Sequence, residues 1–236
     1  ENFGVKIKNE SVVSMKKDGG LFELVTAGNT YKTKTVIMAM GAEYRRINIP
    51  GEKEFTGKGV SYCATCDAFF FRNKTVAVVG GGNSAVVVAL ELADVVSKVY
   101  IIYRNKLSAD PSWIEKMEHN PKIEKVPETQ IIEIKGEGKV EKIVLDKPFN
   151  DKTTLPIDGV FVEIGSEPGV SLANKLGVAT DDGNYIKVDE GMATNIPGIF
   201  AAGDITSGSN KFRQVITACS EGAIAANGVY KLLKLK

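Results

Sequence analysis

The stretch KTVAVVGGGNSAVVVALELADVVSKVYIIYR, residues 74–104, carries the reading of the fold. It runs apolar strand, glycine turn, helix and second apolar strand, a complete βαβ unit in about 30 residues. Within it, Gly80-x-Gly82-x-x-Ala85 closes the strand and opens the helix, the arrangement of a dinucleotide fingerprint. Gly80 permits the tight turn, Gly82 lets the backbone approach a pyrophosphate, and Ala85 keeps the helix close to the sheet. The helix start at Asn83 and Ser84 offers backbone N–H groups to the phosphates. The plain alternative is an ordinary strand–helix turn, but the βαβ setting favours nucleotide binding. At the end of the second strand, an acid would hold a ribose 2′-hydroxyl and an arginine a 2′-phosphate. Here stand Tyr103-Arg104-Asn105-Lys106, so Arg104 leans towards NADPH, or else belongs to a solvated strand end.

Upstream, GVKIKN (4–9), SVVSMKK (11–17) and LFELVTA (21–27), with Gly19-Gly20 as a turn, predict a β-meander. KTVIMAMGA (34–42) reads as a buried parallel strand, and 43–59 has the proline, glycine and charge of a linker. Downstream, the pattern predicts a helix near 111–120, short strands at 122–126, 129–135 and 140–146, and a buried strand at 157–165. A strand at 198–204, a polar loop and a helix over 212–234 end the chain. The class is α/β. The middle, about 60–168, is self-contained; the two flanks lack cores of their own and are expected to pair around it.

Composition excludes several partners. Thirty basic against 29 acidic residues leave no electrostatic case for nucleic acid or an anionic membrane. No apolar run approaches the roughly 18 residues of a membrane helix. No signal peptide is visible, which favours the cytoplasm, where a CxxC is more often redox-active or metal-binding than a stable staple. The chain opens ENFGVKIKNE, without Met and in what reads as the middle of a sheet, so a longer parent chain is expected.

SYCATCDAFF (61–70) supplies that CxxC. Zinc needs about four ligands, and the pool is Cys63, Cys66, Cys219 and His119, the last two in unrelated predicted helices. No metal is therefore expected. A redox-inert pair is the bland reading. Redox activity is favoured because Cys66 lies just upstream of Gly80, which puts dithiol and nucleotide site in one domain. Asp67 could supply the proton that dithiol chemistry needs. Cys219, mid-helix among Ala and Ile, reads as a small buried apolar residue.

Together CATCD, GGGNSA, GIFAAGD and FRQVITA, in that order, resemble the low-molecular-weight thioredoxin reductases, FAD-dependent dithiol oxidoreductases, along essentially the whole chain. The resemblance implies a Rossmann-like nicotinamide-nucleotide-binding domain carrying the CxxC (45–168), inserted in a partial FAD-binding domain (1–44 and 169–236). It implies that Cys66 faces the flavin, that Cys63 attacks thioredoxin or a similar small dithiol protein, and that Asp67 is the acid. Gly41 in AMGA and Gly203 in AAGD would line the FAD, and Asp204 would hold ribityl hydroxyls. Arg213, Gln214 and Val215 would begin a final helix whose positive end points at the flavin ring. The plain reading of Asp204 and Arg213 is capping of that loop and helix. Gly165 joins Gly80, Gly82, Asn83, Ser84, Ala85 and Arg104 in the implied nicotinamide site. A cytoplasmic homodimer is implied as well.

Three departures from that family stand out. The first flavin fingerprint, GxGxxG, is missing before Gly41. The His-Arg-Arg phosphate clamp is here Tyr103-Arg104-Asn105, with Ser108 near the place of a further basic residue. The acidic position of GGGDSA is Asn83. The expected function is thioredoxin reduction by NADPH or NADH through FAD and the Cys63–Cys66 dithiol. Two other readings remain: an NADH-dependent flavoprotein that reduces a peroxiredoxin, and a non-catalytic nucleotide-binding remnant.

Overall fold

Residues 4–234 are described in the computed structural model. They divide into a unit spanning Tyr44–Ser166 and a unit built from Glu1–Glu43 with Glu167–Lys236.

The second of these units begins with a meander of β1 (Val12–Asp18), β2 (Leu21–Thr26) and β3 (Thr30–Thr33), in that order. Gly19 and Gly20, at φ 56° and 84°, make the two-residue turn that matches strand twist. The strand expected at 4–9 is absent: that segment is irregular, and its Val5 and Ile7 are 62% and 77% exposed. Alternation alone does not make a strand without a partner edge, and the third strand is instead TYKT. The segment is fastened at Glu10, whose carboxylate accepts the Thr26 hydroxyl at 2.6 Å and the Tyr31 hydroxyl at 2.8 Å. Next come β4 (Val36–Met38) and β5 (Ala42–Tyr44), where the chain crosses to the other unit.

There the elements are β6 (Val60–Ser61), α1 (Ala64–Asp67), β7 (Thr75–Val79), α2 (Asn83–Ala93), β8 (Lys98–Tyr103), α3 (Pro111–Glu118) and β9 (Ile123–Pro127). A three-stranded antiparallel sheet follows: β10 (Ile131–Lys135), β11 (Lys142–Phe149) and β12 (Lys152–Pro156). β13 (Gly159–Val162) then returns to the main sheet, whose order is β6-β13-β7-β8-β9, all parallel.

The βαβ reading of 74–104 is the centre of that sheet. Val76, Val78 and Ile101 face the α2 side chains Ala85, Val86, Ala89 and Leu92, all fully buried. Ala77, Ile102, Val160 and Val162 face the other way, onto Ile131, Ile143 and Leu155 of the antiparallel sheet. Burial on both faces explains the continuous apolar strands, and each such Val, Leu or Ile contributes about 1.5–3 kcal/mol. β12 escaped the sequence reading. Its hairpin turns at Asn150 and Asp151, φ 49° and 61°, residue types that tolerate the left-handed region. The linker reading of 43–59 is also corrected, because Glu52 and Phe55 are each 3% exposed. A side chain at Gly51 would lie 2.1 Å from the Ile134 carbonyl oxygen, so only glycine fits that crossing.

The chain crosses back at β14 (Ser166–Pro168), which pairs with β5. It continues through α4 (Ser171–Lys175) and β15 (Ile199–Ala201), parallel to β4, and ends in α5 (Val215–Lys234). Phe22, Met38, Ile199 and Ile205 anchor the core here. Among the described residues, no helix is long and apolar enough to cross a membrane.

Candidate active site and nucleotide cradle

Cys63 and Cys66 are joined as a disulfide across the first turn of α1. Cys63 is the N-cap, extended at φ −141°, and its sulfur accepts the Cys66 N–H at 3.2 Å. The Asp67 N–H donates to the Cys63 carbonyl at 3.1 Å, which closes the turn. Cys66 is exposed; Cys63 and Asp67 are half-buried. Ser61, at the end of β6 and 5% exposed, holds this turn from below. Its hydroxyl accepts the Cys63 N–H at 3.1 Å and donates to Asp67 Oδ2 at 2.6 Å.

Tyr62, on the other side of Cys63, is held too. Its hydroxyl donates to Glu52 Oε1 at 2.9 Å, and the same carboxylate takes the Ile47 and Asn48 N–H groups at 2.9 and 2.7 Å. Burial, then the Glu52 bond, push the Tyr62 phenol above its ordinary range. Ser61 and Glu52 were not found from sequence. A hydroxyl two residues before the first cysteine was the available signal for Ser61. Glu52 gave none, being an acid in what reads as a solvated linker.

The nucleotide fingerprint lies at the carboxyl ends of β7 and β13, where open α/β sheets bind ligands. Gly80 sits at φ 142°, and a side chain there would meet the Glu163 carbonyl oxygen at 2.3 Å and the Ala85 Cβ at 3.0 Å. Gly82 caps α2 without a side-chain hydrogen bond, and Ala85 is fully buried. The cradle thus has the tight turn and close packing that a dinucleotide pyrophosphate requires. Asn83 is paired with Asp110: its Nδ2 donates to Oδ2 at 3.1 Å, and its Oδ1 takes the Asp110 N–H at 2.7 Å. The Ser84 hydroxyl donates to the Glu163 carboxylate. Burial pushes the Glu163 carboxyl above its ordinary value, and the Ser84 bond opposes this. Arg104 is exposed at the end of β8, and Gly165, at φ 95°, follows β13. Sequence reasoning missed Glu163 and Asp110, whose partners are 79 and 27 residues away.

In the other unit, Gly41 (φ 67°) follows β4 and Gly203 (φ 80°) follows β15, at matching ends of two paired parallel strands. Asp204 is half-buried beside Gly203. Buried Glu221 of α5 organises this loop: it accepts the Gly203 N–H at 2.8 Å, the Thr206 hydroxyl at 2.9 Å and the Ser209 hydroxyl at 2.6 Å. The start of α5 is fastened by Thr217, whose hydroxyl accepts the Gln214 N–H at 3.1 Å. Val215 is 81% exposed. Arg213 stacks on Tyr185 at 4.1 Å, and its Nε is buried with no acceptor among the described residues. A buried donor left over in this way fits an anionic group such as FAD at this end of the unit. Cys219 is exposed, contrary to expectation. The buried face of α5 carries Glu221 and Ala225, one turn apart, and Cys219 lies two residues from that stripe, on the opposite side.

Residues 2–222 match the family described as pyridine nucleotide-disulphide oxidoreductase. The chain is similar to the thioredoxin reductase of Treponema pallidum (strain Nichols), 42% identical over 227 residues, which cover 95% of this chain and 73% of that protein. The crystal structure of thioredoxin reductase from Streptococcus pyogenes MGAS5005 matches with a TM-score of 0.88 at 36% identity, over 96% of this chain and 74% of that one. Thioredoxin reductase from Giardia duodenalis matches with a TM-score of 0.90 at 32% identity, over 99% and 77%.

Proposed function

The chain belongs to the pyridine nucleotide-disulphide oxidoreductases, in the branch of the thioredoxin reductases, and we propose that Cys63, Cys66 and Asp67 pass its electrons to thioredoxin. Its cofactors are FAD and NAD(P)H. Bound FAD would supply the two-electron chemistry that links the nicotinamide to the disulfide. Gly41, Gly203, Asp204, Arg213, Gln214 and Val215 hold it, in an FAD-binding domain of 1–44 with 169–236. Gly80, Gly82, Asn83, Ser84, Ala85, Arg104 and Gly165 hold the nicotinamide nucleotide, in the domain 45–168.

The reading rests on one observation: the disulfide lies at the start of α1 with a backbone N–H on the Cys63 sulfur and Asp67 next in chain. That N–H favours negative charge on Cys63, so Cys63 is the attacking thiolate and Cys66 the flavin-facing partner. Asp67 first takes the Cys63 proton. Cys63 sulfur then bonds to one thioredoxin sulfur, the thioredoxin S–S bond breaks, and Asp67 gives that proton to the departing sulfur. Cys66 sulfur then bonds to Cys63 sulfur and the mixed disulfide breaks. The Cys66 proton follows the same path to the second thioredoxin sulfur. Two electrons and two protons have moved, and Cys63–Cys66 is again a disulfide.

Trapping tests the assignment. With Cys219→Ser throughout, Cys66→Ser should displace thionitrobenzoate from a thioredoxin whose one remaining cysteine carries it as a mixed disulfide, leaving a covalent complex on a non-reducing gel. Cys63→Ser should form none. The opposite pattern would reverse the two roles.

The enzyme works as a cytoplasmic homodimer. A dithiol that donates electrons suits a reducing compartment, and exposed Ile216 (73%) and Tyr230 (61%) along α5 suit a self-association surface. Sedimentation of the holoenzyme should give twice the chain mass.

A further inference from the structure

We propose that Ser61 is the positioning residue that aims Asp67 at the dithiol, through the hydrogen bond from its hydroxyl to Asp67 Oδ2 at 2.6 Å. This rests on Asp67 being the acid. Ser61 is well placed to fix another side chain. Its backbone is locked by parallel pairing of β6 with β13, Ser61 opposite Phe161, and its side chain is buried. A hydroxyl has one proton to give. The Cys63 carbonyl lies 3.4 Å from the Ser61 oxygen, so the shorter contact, to Asp67, takes that proton. The hydroxyl oxygen meanwhile accepts the Cys63 N–H at 3.1 Å. One atom therefore refers both the attacking cysteine and the acid to the same rigid strand. Oδ2 is occupied by Ser61, which leaves Oδ1 to carry the proton between sulfurs. Without Ser61, Asp67 would sample its rotamers at the end of a four-residue helix.

A merely structural serine would start α1 by taking the Cys63 N–H, and that role does not depend on which side chain stands at 67. The experiment uses this difference. Holoenzymes carrying Ser61→Ala, Asp67→Asn or both are pre-reduced and mixed with oxidised thioredoxin, and the rate of thioredoxin reduction is followed by stopped flow. Ser61→Ala should slow this step by about ten- to a hundredfold, the scale of a misplaced catalytic group, with flavin reduction by NADPH unchanged. In the Asp67→Asn background, Ser61→Ala should cost no more than about twofold, since no acid is left to aim. An equal loss in both backgrounds would make Ser61 a structural residue and overturn the proposal. A slow Asp67→Asn beside a Ser61→Ala at the parental rate would remove Ser61 alone. An Asp67→Asn at the parental rate would instead remove the acid on which both readings stand.

Discussion

Glu221 holds Gly203 by its backbone: the carboxylate, 3% exposed on α5, accepts the Gly203 N–H at 2.8 Å while taking two loop hydroxyls. The loop proposed to grip FAD is therefore shaped by a helix residue 18 positions further on. Glu221→Ala leaves the Gly203 N–H and the buried Thr206 hydroxyl without an acceptor, each costing about 1–3 kcal/mol, while the exposed Ser209 can turn to water. We expect a loss of about 3–5 kcal/mol in thermal unfolding and early release of flavin, read by its fluorescence. Glu221→Gln should fall between parent and Ala. Unchanged flavin retention in Glu221→Ala would show that this loop does not hold the cofactor.

Arg104 is the one guanidinium at the end of β8, the place proposed above to read a 2′-phosphate. Charge-assisted bonds of this kind contribute about 1.5–3 kcal/mol, so one missing clamp residue lowers the preference for NADPH by roughly ten- to a hundredfold. Weak discrimination between NADPH and NADH is expected in steady-state kcat/KM. Arg104→Ala should erase what remains, with little effect on NADH. A preference above about a thousandfold would place the clamp elsewhere.

Glu163 gives a pH signature. Burial raises its folded-state value above the ordinary 4.5, so the native chain keeps a proton that the unfolded chain has released. Stability is therefore lost as pH rises from about 4.5 through the raised value. Glu163→Gln keeps an acceptor for Ser84 without the charge. It should raise Tm relative to the parent near pH 7–8, and the gain should vanish below about 4.5. Equal Tm differences at both ends would mean that Glu163 does not titrate in this range.

Gly80→Ala forces a side chain into the left-handed region and onto the Glu163 carbonyl, 2.3 Å away. The turn must open, so nicotinamide-nucleotide binding by isothermal titration should weaken by at least about tenfold. Strain of about 1–3 kcal/mol should lower Tm as well. Thiol titration of the reduced Cys63–Cys66 pair should not change.

What the sequence made legible was local. The strand–turn–helix at 74–104 writes its apolar periods and its glycines in consecutive residues, and the CxxC carries its chemistry within four. What stayed hidden depends on distant partners. The alternation at 4–9 looks like a strand because sequence shows the period but not the missing neighbour edge. Glu52, Glu163 and Glu221 look solvated because an acid announces its burial only through donors brought in by folding. Cys219 was misplaced for a related reason: a helix rich in small residues shows which positions could be buried, and only the packing partner picks the face.

Cys219 makes the redox state of this chain countable. The sequence holds three cysteines, and two of them are tied together at α1. An alkylating reagent added without reductant can label only the thiol on α5. Once the pair has been opened, all three can take it. Intact mass therefore separates the two forms by two labels, and the first label, present in both, reports whether the reagent reached the protein at all.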